Sequence, residues 1–296
     1  MPLHPGSPLL GGLLEQWSCL FEAEVLPRMD PTSRAVLAQV NRAGRDAVRL
    51  SPAELACAGR AIGVPLKLVD FVGSAGRLAW AHADGCPWVA RTCRLLAGGG
   101  DLQALQLARA HGCPWNRSRC WFAASAGHLD MVEYLIETGA SVDYGSQLDG
   151  STPLYAASEQ GHLDVVRLLI GAGADVDIAR TDTGATPCFV AAQEGHLDVV
   201  VRLIDAGADV NSALTTTGGT PLHVASQNGQ TDVVALLLSA TGVDVNQARM
   251  NDNTTPLYAA SRLGHEDVVE RLLAAPGVNV NLPRDTGATP LLVAAQ

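Results

Sequence analysis

Apolar residues recur along the second half of the chain at the spacing of one helix face. Val165, Val166, Leu168 and Leu169 form one such group, and similar groups follow at intervals of about one repeat. This spacing predicts amphipathic helices. A Thr-Pro pair precedes each group, beginning at residues 152, 186, 220, 255 and 289, with intervals of 34, 34, 35 and 34 residues. A fixed period of this size predicts stacked repeats that share one continuous core.

Each repeat carries signals for two helices. Thr152 is suited to cap the first helix and Pro153 to be its first residue, because proline has no amide hydrogen that would need an acceptor there. Gly161 then allows a tight turn into a second helix, which ends at Gly173, where glycine favours a left-handed cap. The matched glycines in later repeats are Gly195, Gly229 and Gly264 at the turn, and Gly207, Gly242 and Gly277 at the end.

The phrase Thr-Pro-Leu, Gly-His-Leu-Asp-Val-Val and Gly-Ala-Asp-Val resembles the ankyrin repeat. The resemblance implies an all-α solenoid of helix-turn-helix repeats with β-hairpin fingers, preceded by a small helical N-terminal segment. The polar link Asp177–Gly184 resembles such a finger. The family also implies a protein ligand on the concave face, which is built from the fingers and the first helices.

Shortened repeats are expected before residue 116. Gly85, Gly112 and Gly139 are 27 residues apart, and the residues missing from these units are those of the finger. Such units resemble degenerate repeats that accompany ordinary ankyrin repeats in some large protein families of algae and protists. We therefore predict a disordered leader over 1–18, a helical segment over 19–60, short repeats over 65–115, and full repeats over 116–296 with the last one incomplete.

The segment 20–50 resembles an F-box, the helical motif that docks on the Skp adaptor of cullin–RING ubiquitin ligases. The matching residues are Val25, Leu26, Met29, Asp30, Pro31, Ser33, Arg34, Leu37, Val40, Asn41, Arg42 and Arg45. The usual Leu-Pro and Trp of that motif are replaced here by Leu20-Phe21 and Gly44. The alternative is that this segment forms an N-terminal helical cap of the stack.

Charge is unevenly distributed along the 296 residues. The whole chain has a net charge of −10, to which residues 116–296 contribute −12 and residues 1–115 contribute +2. An acidic stack repels phosphate backbones, so nucleic acid is a poor ligand for it, and a basic partner is favoured. No apolar run reaches the length of a membrane span, and residues 1–20 lack a secretory signal. We therefore expect a monomer in the cytoplasm or nucleus. Its seven cysteines are expected to be thiols.

Repeated cysteines and histidines could be mistaken for a metal site. Cys86, Cys93, Cys113 and Cys120 have two equal spacings, but Cys93 and Cys120 share the repeat position of Leu154, which indicates buried core residues rather than zinc ligands. Trp88 and Trp115 also occupy core positions. The recurring histidines are His128, His162, His196 and His265. Each is expected to make a local hydrogen bond in its own turn, so no metal and no cofactor are predicted.

Nothing in the sequence indicates catalysis, because no phosphate loop and no nucleophile motif stand apart from the repeat pattern. The prediction is a non-enzymatic scaffold for a protein partner. Its contact residues are expected where the sequence varies within the repeated frame: Tyr144, Arg180, Leu214, Arg249, Met250 and Arg284 in the fingers, and Glu159, Gln193, Gln227 and Arg262 after the small residues that follow Thr-Pro.

Two alternatives remain open. The chain could be an F-box-type substrate receptor, or the regulatory ankyrin region of a longer enzyme or channel. The final half-repeat, with Leu291, Leu292 and Val293, lacks a second helix, so we expect the natural product to be longer or this segment to fray.

Overall fold

The computed structural model of the chain describes residues 96–113 and 119–295. The helical N-terminal segment, the F-box-like residues 20–50, Trp88, Trp115 and the cysteines Cys86 and Cys93 lie outside these ranges. The chain divides into two compact units, one formed by 1–96 with 103–115 and the other by 97–102 with 116–296. Of the first unit, the described part comprises Leu96 and residues 103–113.

The described residues form helices joined by turns and loops, and none of them lies in a β-strand, which confirms the predicted all-α class. Residues 96–99 are helical. The further helices are α1 (Leu102–Ala110), α2 (Arg119–Ser125), α3 (Leu129–Glu137), α4 (Pro153–Glu159), α5 (Leu163–Gly171), α6 (Pro187–Glu194), α7 (Leu197–Asp205), α8 (Pro221–Gln227), α9 (Thr231–Ser239), α10 (Pro256–Leu263), α11 (Glu266–Ala274) and α12 (Pro290–Ala294).

The helices form repeats in chain order. We number the pairs α2–α3, α4–α5, α6–α7, α8–α9 and α10–α11 as repeats 1 to 5; α12 is the first helix of a sixth. Each first helix packs on the first helices of the neighbouring repeats and on the second helix of its own repeat. The loop that leads from each second helix to the next first helix is called the finger of the repeat that it ends.

First helices carry most of the core. In α6, six consecutive residues from Pro187 to Ala192 are buried, whereas α7 buries Val199, Val200 and Leu203 on one side only. This difference arises because a first helix lies between its neighbours, while a second helix covers the stack from one side. Small residues such as Ala191 and Ala192 allow the close helix approach that this position requires.

The predicted caps and turns are confirmed. The Thr152 side chain accepts a hydrogen bond from the backbone N–H of Tyr155 at 3.1 Å, and Pro153 is the first residue of α4. The same cap recurs at Thr186, Thr220, Thr255 and Thr289. Gly161 and Gly173 have φ values of +73° and +88°, in the left-handed region that the sequence predicted for these turns.

The fingers are tight loops rather than the β-hairpins that the resemblance implied. In finger 2 the backbone N–H of Arg180 donates to Ala185 O, and that of Gly184 donates to Arg180 O, each at 2.9 Å. One further backbone–backbone bond, from Thr181 N to Asp149 O of finger 1 at 2.9 Å, joins neighbouring fingers. A single closing pair and a single backbone–backbone bond between fingers are too few to form a strand ladder, so the fingers are held in a row without a sheet.

Within the described ranges, no helix is both long and apolar enough to cross a membrane.

Candidate partner-binding face

The fingers and first helices form a row of stacked side chains. Arg180 of finger 2 places its guanidinium carbon 5.6 Å from the ring centroid of Tyr155 in α4, and Arg284 of finger 5 repeats this at 5.8 Å from Tyr258 in α10. In repeat 3 the matched finger residue is Leu214, which packs against a core cluster that includes Phe189. The finger residue thus matches the ring of the first helix beneath it. An arginine lies over each of these two tyrosines, and an aliphatic leucine packs near the phenylalanine.

Arg180 is held by two carboxylates. Its Nε and Nη2 donate to the two oxygens of Asp182 at 3.1 and 2.7 Å, and Nη2 also lies 3.2 Å from Asp149 Oδ2 of finger 1. The hydrogen bonds to Asp182 and contact with Tyr155 raise the pKa of Arg180 further above its ordinary value. The same bidentate contact lowers the pKa of the Asp182 carboxyl. The positive charge of Arg180 is therefore balanced by carboxylates of the protein itself.

Two fingers share a polar arrangement that the sequence interpretation missed. In finger 1, Trp121 Nε1 donates to Ser151 Oγ at 3.0 Å, and that hydroxyl donates to Asp149 Oδ1 at 2.7 Å. Although burial acts to raise the pKa of Asp149, the hydrogen bonds from Ser151 and the charge of Arg180 bring it below its ordinary value. A ring in the first helix is thus linked, through the finger hydroxyl, to an ionised carboxylate.

Finger 4 repeats the arrangement with different side chains. His223 Nε2 lies 3.4 Å from Thr254 Oγ1, and the Thr254 hydroxyl donates to Asp252 Oδ1 at 2.7 Å. Because the only hydroxyl hydrogen of Thr254 goes to Asp252, the His223 Nε2–H must be the donor. The signal that could have revealed both sites is the match between Asp149-Gly150-Ser151 and Asp252-Asn253-Thr254.

His223 is almost completely buried, with 2% of its surface exposed. Burial, with a smaller contribution from the Arg249 charge, lowers its pKa to about 4. The opposing effects of Asp252 and Thr254 are weaker. The ring is therefore neutral at physiological pH and acts as a core residue, in the position that Tyr155, Phe189 and Tyr258 occupy in other repeats.

Arg249 and Arg284 share one carboxylate. Arg249 Nε lies 4.0 Å from Asp252 Oδ1, and Arg284 Nη2 lies 3.8 Å from Asp252 Oδ2. Burial acts to raise the pKa of Asp252, but the hydrogen bonds from Thr254 and the charges of the two arginines lower it overall. Both contacts are at the outer limit of an ion pair, so this cluster is held less tightly than the one around Arg180.

The remaining predicted contact residues lie at different depths. Met250 is 69% exposed and Arg262 is exposed, whereas Tyr144 is half-buried. The half-buried residues at the ends of the first helices are Glu159, Gln193 and Gln227. The structure therefore brings Arg249, Met250 and Arg284 to adjoining fingers, while Glu159, Gln193, Gln227 and Arg262 follow the helix ends.

The recurring histidines join neighbouring repeats, so the prediction of a local hydrogen bond was wrong. His196 Nε2 of repeat 3 lies 3.1 Å from the carbonyl oxygen of Glu159 in repeat 2. The matched contacts are those of His128 with Gly98 O, His162 with Ser125 O and His265 with Gln227 O. Gln230, which stands in the same position, donates to Gln193 O at 3.4 Å.

The described cysteines form no metal site. Cys120 and Cys188 are fully buried free thiols, and burial raises the pKa of each to about 12. Cys113 is disulfide-bonded, so the expectation that all seven cysteines are thiols is wrong at that residue. Within residues 96–113 and 119–295, no group of three or more potential ligand side chains is close enough to hold a metal ion.

Comparison with known families agrees with this geometry. A sequence model of ankyrin repeats (three copies) matches residues 92–180 and again residues 177–249. A model of a single ankyrin repeat matches residues 252–285. Together the matches cover more than half of the chain. Comparison with the curated proteins gives no match.

Proposed function

The chain belongs to the ankyrin-repeat family, and on this premise we propose that it is a non-enzymatic scaffold that binds a protein partner through the concave face of the stack, formed by its fingers and first helices. Ankyrin repeats indicate a role in protein–protein interaction, and the family is generally non-enzymatic.

The observation that carries the proposal is the row of finger side chains above the first-helix rings. Arg180, Leu214, Arg249 and Arg284 occupy one position in four successive fingers, and each differs from its neighbour in charge or in the groups that hold it. A rigid frame that presents different side chains at regular spacing is suited to recognise an extended protein surface. Arginine and methionine, which is exposed at Met250, are enriched in protein interfaces.

Two matched double variants test the face. Met250→Glu with Arg262→Glu changes two exposed residues on the finger and first-helix side. The control, Val201→Glu with Arg167→Glu, makes the same change of charge on the second helices, where Val201 is 37% exposed and the Arg167 side chain 61%. Arg180 is left intact because its replacement by Glu would disturb the carboxylate pairs around it.

Affinity capture with the full chain, read by mass spectrometry, should recover the partner with wild type and with the control but not with the face variant. Each variant must retain the wild-type helicity in circular dichroism. Equal capture by the two variants would show that the partner binds a different surface.

A second candidate, the ubiquitin-ligase substrate receptor, is supported by the F-box-like residues of segment 20–50. If this segment docks the Skp adaptor, co-expressed adaptor should purify with the chain, and Leu26→Asp with Leu37→Asp should prevent it. An N-terminal cap predicts no co-purification, and instead a loss of stability from the same change. A basic partner remains a proposal that rests on the net charge of residues 116–296.

A further inference from the structure

The three finger arginines, Arg180, Arg249 and Arg284, differ in how closely carboxylates pair with their guanidinium groups. Arg180 has a carboxylate two residues later, Asp182, which receives both its Nε and its Nη2 hydrogen bonds. Fingers 4 and 5 also carry carboxylates, since Asp252 is three residues after Arg249 and Asp285 directly follows Arg284. Among the described residues, neither makes the bidentate contact that Asp182 makes with Arg180.

The geometry shows the consequence of that difference. The Nε atoms of Arg249 and Arg284 are buried, and neither finds a hydrogen-bond acceptor among the residues that the structure describes. A donor buried without a partner destabilises a protein, so most such groups have one. The two guanidinium groups remain partly exposed, with side chains 25% and 29% accessible, and a ligand can therefore reach them.

Asp252 cannot satisfy both arginines. Its Oδ1 already accepts from the Thr254 hydroxyl at 2.7 Å and from the Thr254 N–H at 3.3 Å. Its closest approaches to the two guanidinium groups are 4.0 and 3.8 Å. The nearby Asp285 is exposed and enters no ion pair within the described ranges. The two guanidinium groups thus share Asp252 at the outer limit of an ion pair, and neither is paired as closely as that of Arg180.

An apolar contact lies beside this charge. Met250 follows Arg249 in finger 4; its backbone N–H donates to Thr217 O of finger 3 at 2.8 Å, and its side chain packs beside Gly218. With 69% of its surface exposed, Met250 offers a flexible thioether to an incoming side chain. The surface formed by Arg249, Met250 and Arg284, which we call the Arg–Met site, therefore presents two loosely paired guanidinium groups with an apolar edge.

We propose that the Arg–Met site binds an acidic segment of the partner polypeptide, in which a carboxylate accepts from Arg249 and Arg284 and a neighbouring hydrophobic residue packs on Met250. The proposal rests on the proposed scaffold function and names the chemistry of its ligand. A carboxylate fits better than a phosphate, because Asp252 and Asp285 flank the site and repel a dianion more strongly than a single charge. The net charge of −12 over residues 116–296 acts at long range, where physiological salt screens it beyond about 8 Å.

The test uses three fluorescein-labelled peptide pools of equal length on the full chain in physiological salt. Their fixed cores are Glu-Leu-Glu, Lys-Leu-Lys and phosphoserine-Leu-phosphoserine, within randomised neutral flanks. Fluorescence anisotropy should show binding of the Glu-Leu-Glu pool above the other two. Arg249→Gln with Arg284→Gln should weaken that binding on the order of tenfold or more, because charge-assisted hydrogen bonds are lost.

Arg167→Gln with Arg271→Gln is the matched control, since it removes two guanidinium groups that are exposed on second helices rather than on the fingers. It should leave the affinity for the Glu-Leu-Glu pool within about twofold, because exposed charges away from the site are largely screened at physiological salt. In nuclear magnetic resonance spectra, the Nε–H signals of Arg249 and Arg284 should shift on peptide addition while that of Arg180 stays in place. Circular dichroism of each variant checks its fold.

Preference for the Lys-Leu-Lys or phosphoserine pool would overturn the proposal, and so would equal loss of binding in the control variant. No binding of any pool would also overturn it. A negative result with the peptide pools would not change the result of the capture experiment. That experiment measures binding of the whole partner to the face, whereas the peptides test the Arg–Met site alone.

Discussion

The imidazole of His196 lies where Gly161 of the preceding repeat would carry a side chain. A Cβ added to Gly161 would be 2.7 Å from both Cε1 and Nδ1 of His196, and the same ring bonds Glu159 O through Nε2. The glycine therefore does more than permit the left-handed turn at φ +73°. It leaves space for the ring that joins repeat 3 to repeat 2.

Gly161→Ala should destabilise the protein more than Gly173→Ala. Both glycines have positive φ, which costs alanine about 1–2 kcal/mol. Only Gly161→Ala also displaces His196, since nothing lies within 4 Å of a Cβ at Gly173. The extra loss should be about 1 kcal/mol for the disturbed hydrogen bond. Urea unfolding followed by circular dichroism measures it, and equal losses would show that the ring moves aside without cost.

Asp177→Asn should stabilise the stack. In the same position of the next two repeats, Asn211 Nδ2 donates to Gly242 O at 2.7 Å and Asn246 Nδ2 donates to Gly277 O at 2.8 Å. Asp177 lacks the amide hydrogens for the matched bond. The change keeps the oxygen that accepts from Asp209 N at 3.0 Å. A gain of about 0.5–1 kcal/mol is expected in urea unfolding.

The reverse change, Asn211→Asp, is the matched control and should destabilise by a similar amount. If both variants unfolded at the wild-type urea concentration, the amide bonds between repeats would contribute nothing measurable.

Stability should decrease in acid because of His223. The pKa of this residue is about 4 in the folded chain and about 6.5 when unfolded, so the unfolded state binds the proton more readily. The stabilisation from the neutral ring is therefore present above pH 6.5 and is lost as the pH falls from about 6.5 through 4. The groups that face the ring are Arg249, Asp252 and Thr254.

His223→Phe should reduce this acid sensitivity, because phenylalanine already occupies the matched position at Phe189. The difference between wild type and variant should grow by on the order of 3 kcal/mol between pH 7 and pH 4. Urea unfolding at several pH values supplies the comparison. Parallel curves for the two proteins would mean that His223 is protonated without cost in the folded state.

Cys120 and Cys188 should resist alkylation in the folded chain. Both are fully buried, and burial raises the pKa of each thiol to about 12, which leaves almost no reactive thiolate at neutral pH. Iodoacetamide with peptide mass spectrometry should label them in urea but not in buffer. Rapid labelling of Cys188 in buffer would show that repeat 3 opens locally.

The sequence determined the parts of the fold that depend on local preference. Thr152 and Pro153 begin a helix, and Gly161 and Gly173 end helices, because these residues favour those backbone geometries in any context. Apolar spacing likewise identified Val165, Val166 and Leu169 as core. The repeat period then placed Cys120 in the core, since Leu154 occupies the same position in the next repeat.

Only the tertiary structure decided which side chains meet between repeats. The histidines bond carbonyl oxygens 30 to 38 residues away, and Arg180 meets Asp149 of another finger. Local spacing cannot show such contacts, because they depend on how closely one repeat stacks on the next. Stacking also distinguished Arg180, whose charge is satisfied, from Arg249 and Arg284, which look alike in sequence. Whether a guanidinium group has a carboxylate within ion-pair distance depends on the positions of atoms in neighbouring fingers, and those positions are fixed only when the repeats pack.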